Sequence, residues 1–345
     1  MKPLFIILLI PAILFLVGCK KNDESVPLVN IPDPNFLNAL IELGIDTDGD
    51  GQISIIEAAS VTSLEIPSRG ITNLNGIDFF IHLESLVCSE NYLTQIDLSK
   101  NIELKNLNCW HNNLTSLDLS GNTALQNLFC ENNRLTSLDL SGNIQLDFLM
   151  CTSNQISNID VSKNTSLTGL ICTSNRITSL DLSKNTNLAT LCCDNNMLSS
   201  LDLSNNHELF WLRCELNQLH SLNIPDNPKL QIMYCDHNQL TELDVSNSIA
   251  LERLYCSENQ LTALDVSDLS NLYLLSCGGN QLSDLDISNN RDLGHNCGDL
   301  ECYLEIENMP SLNKVCVWTI PFPYEGFKVC TEGSPNMYFT TDCNN

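Results

Sequence analysis

Cysteine recurs at positions 88, 109, 130, 151, 172, 193, 214, 235, 256 and 277, ten sites at one invariant interval. Spacing that regular dictates a repeated structural unit, so the chain is read as an array before any single motif is weighed. With each Cys as origin, Asn stands three residues later in all ten units, from Asn91 to Asn280, and Leu or Ile stands five later. Leu lies five before the Cys in every unit and two before it in nine, with Met233 the exception. The second half of each unit is apolar at plus eight and plus ten, with Asp at plus nine in nine units and Asn at plus thirteen in eight.

The unit is therefore LxxLxCxxNxLTxLDLSxNxx, and both halves carry an apolar-x-apolar-x-x-Asn core. Apolar residues at alternate positions face one side of an extended segment, and stacked coils join those faces into one core. Asn side chains satisfy backbone groups at inward turns. Each unit is thus expected to make two short extended segments and two turns. The pattern resembles the leucine-rich-repeat superfamily, and within it a bacterial subclass with nested halves, over roughly 210 of the 345 residues. Because the outer half is as short as the inner one, strands at about 4.8 Å on both sides predict a flattened, nearly straight solenoid. The expected fold is a mainly β solenoid of about ten 21-residue coils, closed by a small helical N-terminal cap and a C-terminal cap.

The ends carry their own signals. Lys2, an apolar run from Leu4 to Val17 and Gly18 read as a secretory signal peptide, too short to span a bilayer. Leu16-Val17-Gly18-Cys19 resembles the lipobox of bacterial lipoproteins, which implies cleavage before Cys19 and lipidation of its thiol. Lys20-Lys21-Asn22-Asp23-Glu24 resembles the export signal of surface lipoproteins of the Bacteroidota. That resemblance implies a chain held in the outer membrane by its acyl groups, surface-exposed or facing the periplasm. The boundaries follow as signal peptide 1–18, tether 19–30, N-terminal cap 31–61, repeats 62–292 and C-terminal cap 293–345.

In the N-terminal cap, helical apolar spacing from residue 34 precedes Asp46-Thr-Asp-Gly-Asp-Gly-Gln-Ile-Ser-Ile-Ile-Glu57. The segment matches an EF-hand calcium loop: Asp46, Asp48 and Asp50 at one, three and five, Gly51 at six, Gln52 giving its carbonyl, Ser54 at nine and Glu57 at twelve. It implies one structural Ca2+. Residues 62–83 read as a degenerate first coil. The C-terminal cap holds Cys297, Cys302, Cys316, Cys330 and Cys343, which invite one or two disulfides of open connectivity.

The formal charge of −26 excludes nucleic acid as a partner, because phosphate binding needs clustered Lys and Arg. The six His are scattered and none stands in a catalytic motif, so no enzyme is expected. The ladder cysteines occupy an inward position, and parallel Cβ vectors keep them too far apart to bridge, which predicts buried, reduced thiols. The Asp column, Asp97 to Asp286, is expected to face outward from the second segment, with like-charge repulsion raising its pKa values and Ser and backbone donors offering hydrogen bonds. Beside the Cys strand, outward positions that should be polar hold Phe129, Phe148, Met150, Ile171, Trp211, Arg213, Ile232, Tyr234, Arg253, Tyr255 and Tyr273. Aromatics and Arg are enriched in interface hot spots. The sequence therefore suggests a non-enzymatic surface binding or adhesion module that presents this stripe to a protein or glycan. The alternative is a structural envelope or matrix protein with an acidic, cation-binding face.

Overall fold

The computed structural model describes residues 26–224, 226–295 and 302–343. Strands of two or three residues, one per coil, build a 13-stranded parallel sheet from Ser63–Glu65 to Val329–Cys330. Its register never slips within the regular array: Leu86 pairs with Leu107, Leu107 with Leu128, and so on through Leu254 and Leu275. Inside lie the Leu columns and the ladder cysteines, all fully buried.

The coils are joined by the repeated Asn. Asn112 Nδ2 donates to the Cys109 carbonyl of its own coil at 3.1 Å and to the Cys88 carbonyl of the preceding coil at 3.1 Å. Its Oδ1 accepts the Leu93 amide at 3.0 Å. The same set recurs up to Asn280, which bonds Cys277, Cys256 and Leu261. The residue before each of these Asn is left-handed, with φ of 52–55° from Glu90 to Glu258 and 65° at Gly279. Nine non-glycine residues therefore hold a conformation that costs energy, stabilised by the Asn that follows.

The second side departs from the expectation of an extended segment in every coil. Among the described residues its strands are Ser200–Asp202 paired with Ser221–Asn223, and Asp284–Asp286, Lys314–Cys316 and Tyr338–Thr340 in a three-stranded sheet. The LDLSxN segment makes the same turn bonds in paired and unpaired coils alike, as at Asp202 with Ser204 and Asp286 with Ser288. Asp118 Oδ1 accepts the Ser120 amide at 3.0 Å, and the Asn122 amide bonds the Leu119 carbonyl at 3.0 Å. Those bonds reverse the expected pKa direction. Hydrogen bonds from the Ser two residues on hold Asp97, Asp118, Asp139, Asp160, Asp181 and Asp202 below the usual carboxylate range, and repulsion between neighbours is the weaker effect.

One buried carboxylate links the N-terminal cap to the first coil. Asp33 caps helix α1 (Pro34–Glu42) by accepting the Asn35 and Phe36 amides, while its other oxygen accepts the amide and hydroxyl of Thr72 at 2.8 and 2.6 Å. Phe36, Ala39 and Leu40, at helical spacing, cover the first coil, with Phe36 6.4 Å from Phe80 between ring centroids. Part of the expected tether is structured: Leu28 bridges to Ser54 antiparallel, and Val29 is buried.

At the other end the expected cap continues the solenoid. Leu304 pairs with Leu275 and Val329 pairs with Leu304, adding two coils longer than those of the regular array. Disulfides Cys302–Cys330 and Cys316–Cys343 staple these coils. Cys297 lies outside the described residues. The ladder cysteines are free and buried, as expected, and burial pushes the Cys88, Cys151 and Cys277 thiols up to about 12.

Carboxylates with depressed folded pKa values stabilise the fold above the ordinary Asp range and lose that contribution as pH falls through their folded values. Carbon-13 NMR titration should accordingly place the midpoints of Asp118, Asp139, Asp160 and Asp181 below the ordinary Asp value of 3.8. Midpoints above that value would show that repulsion between coils dominates.

Candidate functional site

Strand pairing turns the repeat spacing into columns on the outer face of the large sheet. The column just before the ladder Cys runs Asn108, Phe129, Met150, Ile171, Cys192, Arg213, Tyr234, Tyr255 and Ser276. The column two residues earlier includes Phe148, Gly169, Thr190, Trp211, Ile232 and Arg253. The predicted stripe therefore lies on one face. It is more sheltered than an exposed stripe: Trp211 is 38% exposed, and the others are half-buried.

Lateral packing explains the shelter and splits the stripe in two. Phe129 and Phe148 lie 5.7 Å apart, with the Phe148 ring across Gly169, where a Cβ would come within 2.4 Å of it. Met150 and Ile171 continue that apolar patch through the strand register. The second patch is aromatic and cationic. Tyr234 and Tyr255 stack at 4.4 Å with planes 8° apart, Arg213 lies over Tyr234 at 5.5 Å, and Arg253 lies over Tyr273 at 5.2 Å. Arg253 also donates through Nε to the Tyr273 hydroxyl. Between the patches lies Thr190–Cys192, whose Cys192 is a buried free thiol beside the ladder position Cys193.

Sequence reasoning missed the acidic side chains that border this face, one residue after the ladder Cys. Glu131, Asp194, Glu215 and Asp236 occupy that position. Arg213 ion-pairs with Glu215 and reaches Asp194 at 3.7 Å. Burial pushes the Asp236 carboxyl up to about 7 and raises Glu131 as well. The signal was present in the repeat alignment, at a position that varies from coil to coil.

In the N-terminal loop, carboxylate oxygens of Asp46, Asp48 and Asp50 lie within 4.8 Å of one another. The loop's own amides hold them: Asp46 accepts Gly49 at 2.8 Å and Gly51 at 2.9 Å, and Asp50 accepts Gln52 at 2.8 Å. Glu57 and Ser54 do not join the convergent set. Glu57 accepts the Thr47 amide at 2.7 Å and the Ser54 amide at 2.8 Å, closing the capping box of helix α2 (Ile55–Ala59). Those bonds, that from Ser54 foremost, hold the Glu57 carboxyl at about 2. The Asp triad and the glycine turn fit a calcium ion, whereas Glu57 would have to exchange its present donors to ligate one. Cys19 lies outside the described residues.

No protein-family profile and no curated protein sequence matches the chain. Among solved structures, the functional domain of InlJ from Listeria monocytogenes, which includes a cysteine ladder, is 32% identical, with a TM-score of 0.78 over 92% of this chain and 73% of that one. The internalin InlF of the same organism shares the fold at 19% identity, with a TM-score of 0.71 over 91% of this chain and 96% of that one. YopM, an effector of Yersinia pestis, shares it at 24% identity, with a TM-score of 0.62 over 87% and 88%. The 21-residue coils, the ladder and these likenesses together place the chain: it belongs to the leucine-rich-repeat family.

Proposed function

We propose that this protein is a non-enzymatic recognition module, lipid-anchored through Cys19 at the outer membrane, that presents its Cys-strand face to a protein partner. The observation that carries the reading is the pair of patches, Phe129–Phe148–Met150 and Trp211–Arg213–Tyr234–Arg253–Tyr255, on one register-locked sheet. Rings and guanidinium groups already packed against one another lose little side-chain freedom on binding. A protein fits better than a glycan because the first patch offers only apolar surface. The acidic, structural reading is weaker, because the Asp column carboxylates are engaged by the Ser amides that follow them.

Once a partner has been isolated with the intact protein, its dissociation constant measures the face directly. Trp211→Ala and Tyr234→Ala should each cost at least about 1 kcal/mol. Asp139→Asn with Asp160→Asn should leave affinity within about three-fold, since those groups lie on the other side of the solenoid, where salt screens them from the face. Silent aromatic substitutions beside a large Asp effect would move recognition to the opposite side.

We also propose that the N-terminal loop binds one structural Ca2+ through Asp46, Asp48 and Asp50, the Gln52 carbonyl, Ser54 and Glu57. The convergent Asp triad supports this. Calorimetry should give one binding heat, lost in Asp46→Ala with Asp48→Ala, and calcium should raise the melting temperature of the wild type alone. Absence of heat in the wild type would dismiss the metal.

A further inference from the structure

The Cys-strand face changes character towards its C-terminal coils. In the column just before the ladder Cys, register neighbours run Arg213, Tyr234, Tyr255, Ser276 and Glu305. Tyr234 has Arg213 on one side in the column and Tyr255 stacked on the other. Past Tyr255 the next side chain is only Ser276, too small to cover a phenol ring, and the column then rises again to Glu305.

The neighbouring column behaves alike. After Glu215 and Asp236 come Ser257 and Gly278, and a Cβ on Gly278 would come within 2.9 Å of the Glu307 carbonyl oxygen, so this floor stays bare. The result is an open hollow of about 430 Å³, lined by Tyr255, His237, Glu215, Asp236, Glu258 and Glu305, with no Lys or Arg in the lining among the described residues.

Asp236 and Glu305 are engaged through one oxygen each: Asp236 Oδ1 accepts the Ser257 amide at 2.8 Å and Glu305 Oε2 accepts the Ser276 hydroxyl at 2.7 Å. Glu215 is 8% exposed; its Oε1 accepts Arg213 Nε at 2.9 Å, but its Oε2 is buried without a hydrogen-bond partner. Burial also drives Asp236 up to about 7 although the Ser257 amide donates to it at 2.8 Å. A cation with several N–H groups donates to more than one carboxylate at once, and such charge-assisted bonds are stronger than neutral ones. A metal ion is the poorer occupant. Among the described residues, carboxylates converge within 4.8 Å at Asp46, Asp48 and Asp50, and the carboxylates of the hollow are not such a set. A planar guanidinium, by contrast, stacks on a phenol ring while its edge donates to carboxylates.

We propose that this hollow receives an arginine side chain of a protein partner, stacked on Tyr255 and hydrogen-bonded to the surrounding carboxylates. The arrangement repeats one already built into the column, where Arg213 covers Tyr234 and pairs with Glu215. The assignment rests on the Cys-strand face being the binding face and names the chemistry of one contact on it.

The test is an NMR titration of the full chain with acetyl-arginine amide, acetyl-lysine amide and acetyl-citrulline amide at about 150 mM salt, where long-range attraction is screened. The arginine probe should shift the amides of Tyr255, Ser276 and Glu305, and the citrulline probe should bind at least about ten-fold more weakly. Tyr255→Leu with Glu305→Gln should weaken the arginine probe about ten-fold, while Asp139→Asn with Asp160→Asn, which removes charge elsewhere, should change it less than about two-fold. Unshifted core amides in each variant verify the fold. Equal losses in the two double variants, lysine binding as tightly as arginine, or calcium chloride alone shifting the same amides would each overturn the assignment. Shifts gathered around Trp211 instead would sink the hollow and leave the face standing. Shifts confined to the Asp column would sink both.

Discussion

Two columns of buried Asn hold the stack together, and the Asn three residues after each ladder Cys governs the Cys-strand side. A parallel coil turns inward at that point and carries carbonyl and amide groups into the core, where water cannot reach them. Asn is short enough to fit and brings both donors and an acceptor. By bonding the Cys carbonyl of two successive coils and the amide of the preceding coil, it converts a local turn into a contact between neighbours. The left-handed residue before it follows from the same requirement, because only that backbone geometry leads the chain around the Asn.

Everything on the surface inherits this register. Since no coil slips against the next, side chains one repeat apart meet as lateral neighbours, and any bias in a column becomes a physical patch. The aromatic stacks, the Arg groups seated on Tyr rings and the bare floor at Ser276 and Gly278 arise in this way. The ends are closed by different means. Asp33 ties a helix to the first coil, where it is buried under opposing influences: desolvation pushes its carboxyl up, but hydrogen bonds from Thr72, Phe36 and Asn73 prevail and hold it low. At the far end two disulfides and the ring cluster of Trp318, Phe322 and Phe327 seal the core.

The array, its inward thiols and the aromatic face were legible in the sequence because each is a column, and columns survive translation by one repeat. What was not legible broke that period or depended on small residues. The last two coils hid behind longer spacings, such as Leu275 to Leu304, although Cys302 and Cys330 marked them. The second side looked extended because LDL alternates, yet among the described residues it pairs in only some coils, and the Ser and Asn bonds that follow are the same in both kinds. Column repulsion was overrated because the Asp carboxylates had nearer donors than their neighbours in the stack. The hollow beside Tyr255 went unseen because Ser257, Ser276 and Gly278 make it by the side chains they lack.

The measurement that bears most directly on this account is urea unfolding of Asn175→Ala. The substitution leaves the Cys151, Cys172 and Thr173 carbonyls and the Ile156 amide without their side-chain partner in the middle of the array. Each unsatisfied buried group costs about 1–3 kcal/mol, so the variant should lose at least about 3 kcal/mol. A loss below about 0.5 kcal/mol, the range of an ordinary surface change, would show that the coils stack without the Asn ladder and would contradict the account.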